Sequence, residues 1–348
     1  MDIIDLFKTA VAKNASDIIV TTPAAPILRI NGELIAVKAP IFTADDTKKL
    51  IYGILSEEQV VKFEAHKELD FSFTLEEKHR FRCNVFYQKG SVGANFRLIH
   101  NKIPSLAELN LPLILEDFAL QPHGLILVTG PTGHGKSTTQ AAMIDLINIK
   151  RKNHVITIED PIEYIHQNKQ SIIEQREVGD DTLSFADALK HVFRQNPDII
   201  LVGEMRDPES IASALTAAET GHLVISTLHT SDAVQAIDRL IDVFPPYQQG
   251  QIRAQLSLSL CAIISQRLIP RADKKGLIVA VEILKHNSAV ANLIRDAKIH
   301  QLYTIMETHA KEGMKTMDYA LKELYLQGLI TYEDCRRRMR SPAFLDKS

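Results

Sequence analysis

One stretch, GPTGHGKSTT from Gly130 to Thr139, restricts what this chain can fold into more than any other. It has a glycine, four residues, then Gly135-Lys136-Ser137, the full spacing of a phosphate-binding loop, which works only between a strand and a helix. Both flanks are legible. Leu125-Ile-Leu-Val-Thr129 is a short apolar run that predicts a buried strand. Thr138 to Ile149 carries Ala, Met, Ile and Leu at helical spacing. Gly130, Gly133 and Gly135 leave the backbone free to curl, so that several N–H groups can point at one polyphosphate. Lys136 is placed to reach β- and γ-phosphates, and Ser137 to offer a hydroxyl to Mg²⁺. Pro131, Thr132 and His134 complete the loop, His134 as a tolerated substituent rather than a catalyst, and Thr138 opens a helix whose N-terminal dipole favours anions. ATP and Mg²⁺ are the expected cofactors.

At 348 residues the chain has room for two domains, and 45% hydrophobic residues supply their cores. A net charge of −3 with 24% charged residues argues against a dedicated nucleic-acid coat, and no nucleic-acid partner is expected. Cys83, Cys261 and Cys335 lie far apart with no CxxC pair, which points to a reducing compartment and no zinc site. Asp2 and Asp5 stand where an export signal would be basic. The most apolar stretch, Leu256 to Ile269, is interrupted by serines and a glutamine and is too short to span a bilayer. A cytoplasmic protein is expected.

Residues 1–98 read as a small α+β domain: a helix over Ile3 to Lys13, a hairpin formed by Ile27–Ile30 and Glu33–Val37 about Asn31-Gly32, a helix from Asp45 to Phe63, and strands at Phe71–Thr74 and Arg80–Tyr87. Residues 99–112, with Pro104 and Pro112, read as a linker. From Leu113 to the end of the chain, apolar strands alternate with helices, as in a parallel sheet with crossover helices. Beyond about Ser288 the pattern is helical, and Arg336 to Arg340 reads as a solvated helix end.

Chemistry in open α/β sheets collects beyond the carboxyl ends of the strands. His154–Ile158 runs into an acidic box ending at Glu163, and Asp198–Val202 runs into Gly203-Glu204. Carboxylates there can hold Mg²⁺, directly or through water, or orient an attacking water. His222 and His229 bracket one further strand; separated by roughly 20 Å of extended chain, they cannot share one metal. Each is either a structural hydrogen-bonder or a γ-phosphate sensor. In Arg80 to His100, a two-residue turn at Lys89-Gly90 would set Arg82 directly opposite Arg97. Like charges so placed destabilise a hairpin unless an anion sits between them. Two snorkelling arginines, or an arginine pair offered to a nucleotide, both satisfy the pattern.

Four blocks in this order, GPTGHGKSTT, ITIEDPIE (Ile156 to Glu163), DIILVGEMRD (Asp198 to Asp207) and TGHLVISTLHT (Thr220 to Thr230), closely resemble the secretion-type ATPases, over essentially the whole chain. The resemblance implies a PAS-like N-terminal domain, a RecA-like P-loop ATPase domain with C-terminal helices, and a homohexameric ring with ATP between the domains. It implies that Glu163 and Glu204 are catalytic acids, Glu204 also serving the metal with Ser137, and that Arg82 and Arg97 act on nucleotide from the N-terminal domain. His222 and His229 match the family's histidine box. Ala289 to Asp296 reads AVANLIRD, similar to the AIRNLIRE motif of the pilus-retraction branch but with Ala291 where that motif has arginine. Arg295 is expected to pair with a carboxylate on an adjoining element. Also implied are pilin disassembly at the cytoplasmic face of the inner membrane, a membrane platform protein as partner, indirect action on the pilin fibre, and a PilU-like paralogue as partner or alternative identity. A RecA-like nucleic-acid translocase would want stacking aromatics in its pore, and this chain has no Trp.

Overall fold

The structure, a computed structural model, describes residues 2–30, 32–76, 79–99 and 102–345. It divides into two compact units, one running to Lys102 together with Glu163–Ile165, the other Ile103–Ile162 together with His166 onward.

The first unit comprises α1 (Ile3–Ala12), β1 (Asp17–Val20), β2 (Ile27–Ile30), β3 (Glu33–Ala36), α2 (Ala44–Tyr52), α3 (Glu57–His66), β4 (Glu68–Leu75), β5 (His79–Gln88) and β6 (Ser91–Leu98). Its strands form an antiparallel sheet ordered β3-β2-β1-β6-β5-β4. In α1, Ile3, Leu6, Phe7 and Ala10 recur at helical spacing and are buried, with Phe7 stacked on Phe81 at 4.4 Å. Lys89 (φ 47°) and Gly90 (φ 77°) make the two-residue turn, both with the positive φ that matches strand twist. That turn fixes the register, and Arg82 faces Arg97 as expected. The β2–β3 hairpin also forms, with Ile30 opposite Glu33, although Asn31 of its turn lies outside the described residues, as do His100 and Asn101. The single helix expected over Asp45–Phe63 is instead two. Gly53 caps the end of α2, and Ser56 with Gln59 forms a capping box that starts α3.

The second unit comprises α4 (Ile114–Ala119), β7 (Gly124–Thr129), α5 (Lys136–Lys150), β8 (His154–Glu159), β9 (Ile172–Glu177), α6 (Phe185–Val192), β10 (Ile199–Val202), α7 (Pro208–Glu219), β11 (Leu223–Leu228), α8 (Ala233–Asp242), α9 (Pro246–Ser259), β12 (Leu260–Pro270), β13 (Leu277–Lys285), α10 (Ser288–Arg295), α11 (Leu302–Thr308), α12 (Met317–Leu326) and α13 (Tyr332–Arg338). Its sheet runs β13-β12-β7-β11-β10-β8-β9, parallel throughout except for β13 on β12. Every residue of β7, β10 and β11 is buried, because crossover helices cover both faces of a parallel sheet. Residues 103–112 belong to this unit, with Leu106 and Leu111 buried in its core. The apolar stretch from Leu256 to Ile269 is the end of α9 followed by most of β12, an interior strand. Among the described residues no helix is long and apolar enough to cross a membrane.

The basic run at Arg336–Arg340 is more than a solvated helix end. Arg338 pairs with Asp334, and Arg340 lies 3.6 Å over the Tyr303 ring while its backbone N–H donates to Asp318. On α10, Arg295 donates to Asn292 Oδ1 at 2.9 Å, so its partner is a neighbour inside the motif and not the carboxylate expected on another element. Ala291 is on the buried side of that helix.

Candidate nucleotide site

β7, β8, β10 and β11 point their carboxyl ends at one edge of the sheet, and the phosphate loop leaves β7 there. Gly130 has φ 148°, and a Cβ on it would lie 2.4 Å from the Gln266 carbonyl oxygen, so no other residue fits without moving β12. Gly133 and Gly135 have φ near 80°, and the space over Gly133 is open. α5 starts at Lys136 with Gly135 as its N-cap and no side-chain cap. Its first N–H groups and dipole are thus arranged for an anion.

Lys136 is buried, and its ammonium donates to the carbonyls of Gly130 (2.9 Å) and Pro131 (3.1 Å). It also lies 3.4 Å from His229 Nδ1, which is 3.3 Å from the Thr132 hydroxyl. On its other side His229 Nε2 is 3.3 Å from Glu204 Oε2. An ammonium can only donate, so Nδ1 accepts, and the ring proton sits on Nε2 and is given to the carboxylate. The result is a hydrogen-bonded line Lys136–His229–Glu204 across the mouth of the loop. Glu204 is oriented further by Arg206, whose Nε lies 2.6 Å from Oε1. The Gly203 carbonyl, one residue back, accepts from the Thr227 hydroxyl at 2.6 Å.

The loop also leans on β12. His134 Nδ1 accepts from the Leu268 N–H at 3.0 Å, and the His134 carbonyl accepts from the Gln266 amide at 2.7 Å. Burial, with Lys136, Arg267 and Arg338 nearby, holds the His134 imidazole below its ordinary pKa, in keeping with a ring nitrogen that accepts. Arg267 donates to the carbonyls of Ser231 and Arg338. Gln266 and Arg206 are site residues that the phosphate-loop and acidic patterns do not single out. Gln266 sits in an ordinary apolar strand pattern, whereas Arg206, two residues after Glu204, could have been noticed.

The site residues fall into groups. Lys136, Ser137, Glu204 and His229 belong to the loop's edge of the second unit. His222 does not: it stands at the amino end of β11, where Nδ1 contacts the carbonyl of Ala217 (3.0 Å) and the hydroxyl of Thr220 (3.3 Å) at the end of α7. His222 therefore stands away from the loop, with the length of β11 between them and structural hydrogen bonds at its own end. Arg82, Arg97 and Glu163 belong to the first unit. There Arg97 has a counter-ion on the strand away from Arg82. Asp17 lies opposite both Arg97 and Arg29, accepting from Arg97 Nε at 2.9 Å and pairing with Arg29 at 3.5 Å. In the acidic box, Glu159 accepts from Thr157 (2.7 Å) and Gln175 (3.0 Å).

A serine hydroxyl and one carboxylate are hard oxygen donors of the kind Mg²⁺ takes while keeping waters and phosphate oxygens. With the glycine cradle and the uncapped helix start, the residues present fit Mg²⁺-nucleotide.

The model of the family "type II/IV secretion system protein" matches residues 3–314. The chain is 45% identical to a twitching motility protein of Neisseria gonorrhoeae over 97% of this chain and 91% of that protein. It is 44% identical to the type IV pilus retraction ATPase PilT of Pseudomonas aeruginosa over 98% and 99% respectively. Among solved structures, the pilus retraction motor PilT with bound ADP is 48% identical, with a TM-score of 0.93 and all of both chains covered.

Proposed function

The chain belongs to the type II/IV secretion system protein family, and from that premise we propose that it is an ATP-hydrolysing motor that retracts type IV pili. The observation that carries the reading is the line Lys136–His229–Glu204 at the mouth of a full phosphate loop. The loop's backbone N–H groups would bind the phosphates, and Lys136 would exchange its carbonyl partners for β- and γ-oxygens. Ser137 and Glu204 would hold Mg²⁺, which supplies positive charge against the phosphate oxygens. Glu204, aimed by Arg206 and His229, orients the attacking water, and His229 is placed to register whether Lys136 is engaged with phosphate. Glu163 is the second acid. Arg82 and Arg97 would come from a neighbouring subunit, where arginines supplied in trans stabilise transition-state charge. Such sharing needs a head-to-tail contact that closes, and a homohexameric ring answers it. The motor would act from the cytoplasmic face of the inner membrane, through a platform protein, on the pilin fibre.

The test has two arms. Purified chain should release phosphate from ATP and Lys136→Ala should abolish that while remaining folded. A host lacking the gene should extend pili that do not retract, with retraction restored by the wild-type gene and not by Lys136→Ala. Near-wild-type turnover by the variant removes the site assignment; normal retraction without the gene removes the motor.

A further inference from the structure

β7 ends at Thr129, paired with Ser265, but β12 continues to Pro270. Past that point the phosphate loop occupies the side of β12 that β7 has left. There the Leu268 N–H is taken by the His134 ring, and Gln266 reaches into the loop. Gln266 is 2% exposed, and both ends of its amide are engaged. Nε2 donates to the His134 carbonyl at 2.7 Å, and Oε1 accepts from the Thr139 hydroxyl at 2.9 Å. Between those two points lie Gly135, Lys136, Ser137 and Thr138, the residues that would meet a bound polyphosphate. The same residue's carbonyl oxygen packs where any Cβ on Gly130 would be.

We propose that Gln266 is the positioning residue of the phosphate loop: one buried amide clamps the loop apex to the first turn of α5 and sets the curvature with which the N–H groups meet a polyphosphate. The proposal rests on the nucleotide-site reading above. It makes the loop's shape a property of β12, a strand outside the motif, and it gives His134 a task at a position the motif leaves free. A glutamine that only filled the core could be replaced by leucine, of similar size, with no effect on ligand. A positioning glutamine cannot.

The experiment uses the full chain and Mg²⁺-ADP as probe, with affinity measured by titration calorimetry and melting measured without nucleotide. Gln266→Leu removes both hydrogen bonds, and Thr139→Val removes one of them from the other side. Thr139→Val should weaken ADP about tenfold, the worth of roughly one net hydrogen bond, and Gln266→Leu by at least that, with melting moved by only a few degrees. The double variant should lose no more than Gln266→Leu alone, because one clamp is broken once. ADP affinity within about twofold of wild type for Gln266→Leu overturns the proposal, as do losses that multiply in the double variant. Failure of the wild-type chain to bind ADP is a different result, and removes the nucleotide site itself.

Discussion

Glu282 lies on β13 with both carboxylate oxygens used. Oε1 accepts from the Ala233 N–H at the start of α8 (2.8 Å), and Oε2 from the Met317 N–H at the start of α12 (3.0 Å). Burial pushes its carboxyl up to about 7 from an ordinary 4.5, and a nearby Asp232 adds to this, against the pull of the two N–H groups and Arg267. A carboxyl with a higher pKa folded than unfolded binds its proton more tightly in the native state. The stability it lends is therefore full below pH 4.5 and lost as pH rises through 7. At ~1.4 kcal/mol per pH unit, that span is worth about 3 kcal/mol. Glu282→Gln keeps the shape but cannot ionise; its NH₂ replaces one acceptor oxygen and faces a helix-start N–H, a cost of about 1–3 kcal/mol that does not vary with pH. We expect the variant to lie below wild type at about pH 5 and to gain on it by about 3 kcal/mol between about pH 5 and about pH 8, a relative melting shift of roughly 6–12 °C for a unit of this size. Melting curves of both full chains across that pH range are the assay. If the two stability curves stay parallel, the carboxylate is as well solvated by two helix starts as by water, and the burial argument fails.

Two further outcomes concern the motor. Arg97→Ala subunits mixed with Lys136→Ala subunits should recover part of the ATPase activity that each variant lacks alone, if each site takes its arginine from a neighbour; verified mixed rings without recovery would refute the shared site. Arg295→Ala should keep basal ATPase activity, since Arg295 donates to Asn292 at the exposed face of α10, away from the phosphate loop, yet should stop pilus retraction in cells. Twitching at wild-type speed with normal protein levels would leave Arg295 an ordinary surface group.

What could be read in advance was what local chemistry decides. The Lys89-Gly90 turn dictated the register that sets Arg82 against Arg97, and the buried strands of a parallel sheet announced themselves as apolar runs. Gly53 and Ser56 carried the break between α2 and α3 in plain residues, but the helical periodicity on either side obscured it. The partners that long-range folding creates left no such mark. Gln266 meets the loop from more than a hundred residues away, Glu282 caps helices that begin 49 residues before it and 35 after it, and Asp17 reaches Arg97 across 80 residues. His222 and His229 look alike in sequence, and only the direction of β11 separates them.

The cross-strand row on the first sheet bears on how this unit meets anions. Arg82, Arg97, Asp17 and Arg29 stand directly opposite one another on neighbouring strands and so share a face. Three positive charges and one negative leave an excess of two, spread over three strand spacings of about 4.8 Å, or roughly 14 Å. The Debye length is ~8 Å at physiological ionic strength and ~30 Å at 0.01 M. In dilute salt an approaching polyanion feels the net charge of the whole row, whereas at physiological salt it feels mainly the end it approaches, Arg82 with Arg97 or Arg29 with Asp17. Attraction beyond about 8 Å is thereby weakened at physiological salt, and what remains is concentrated at the end of the row where Arg82 and Arg97 stand side by side.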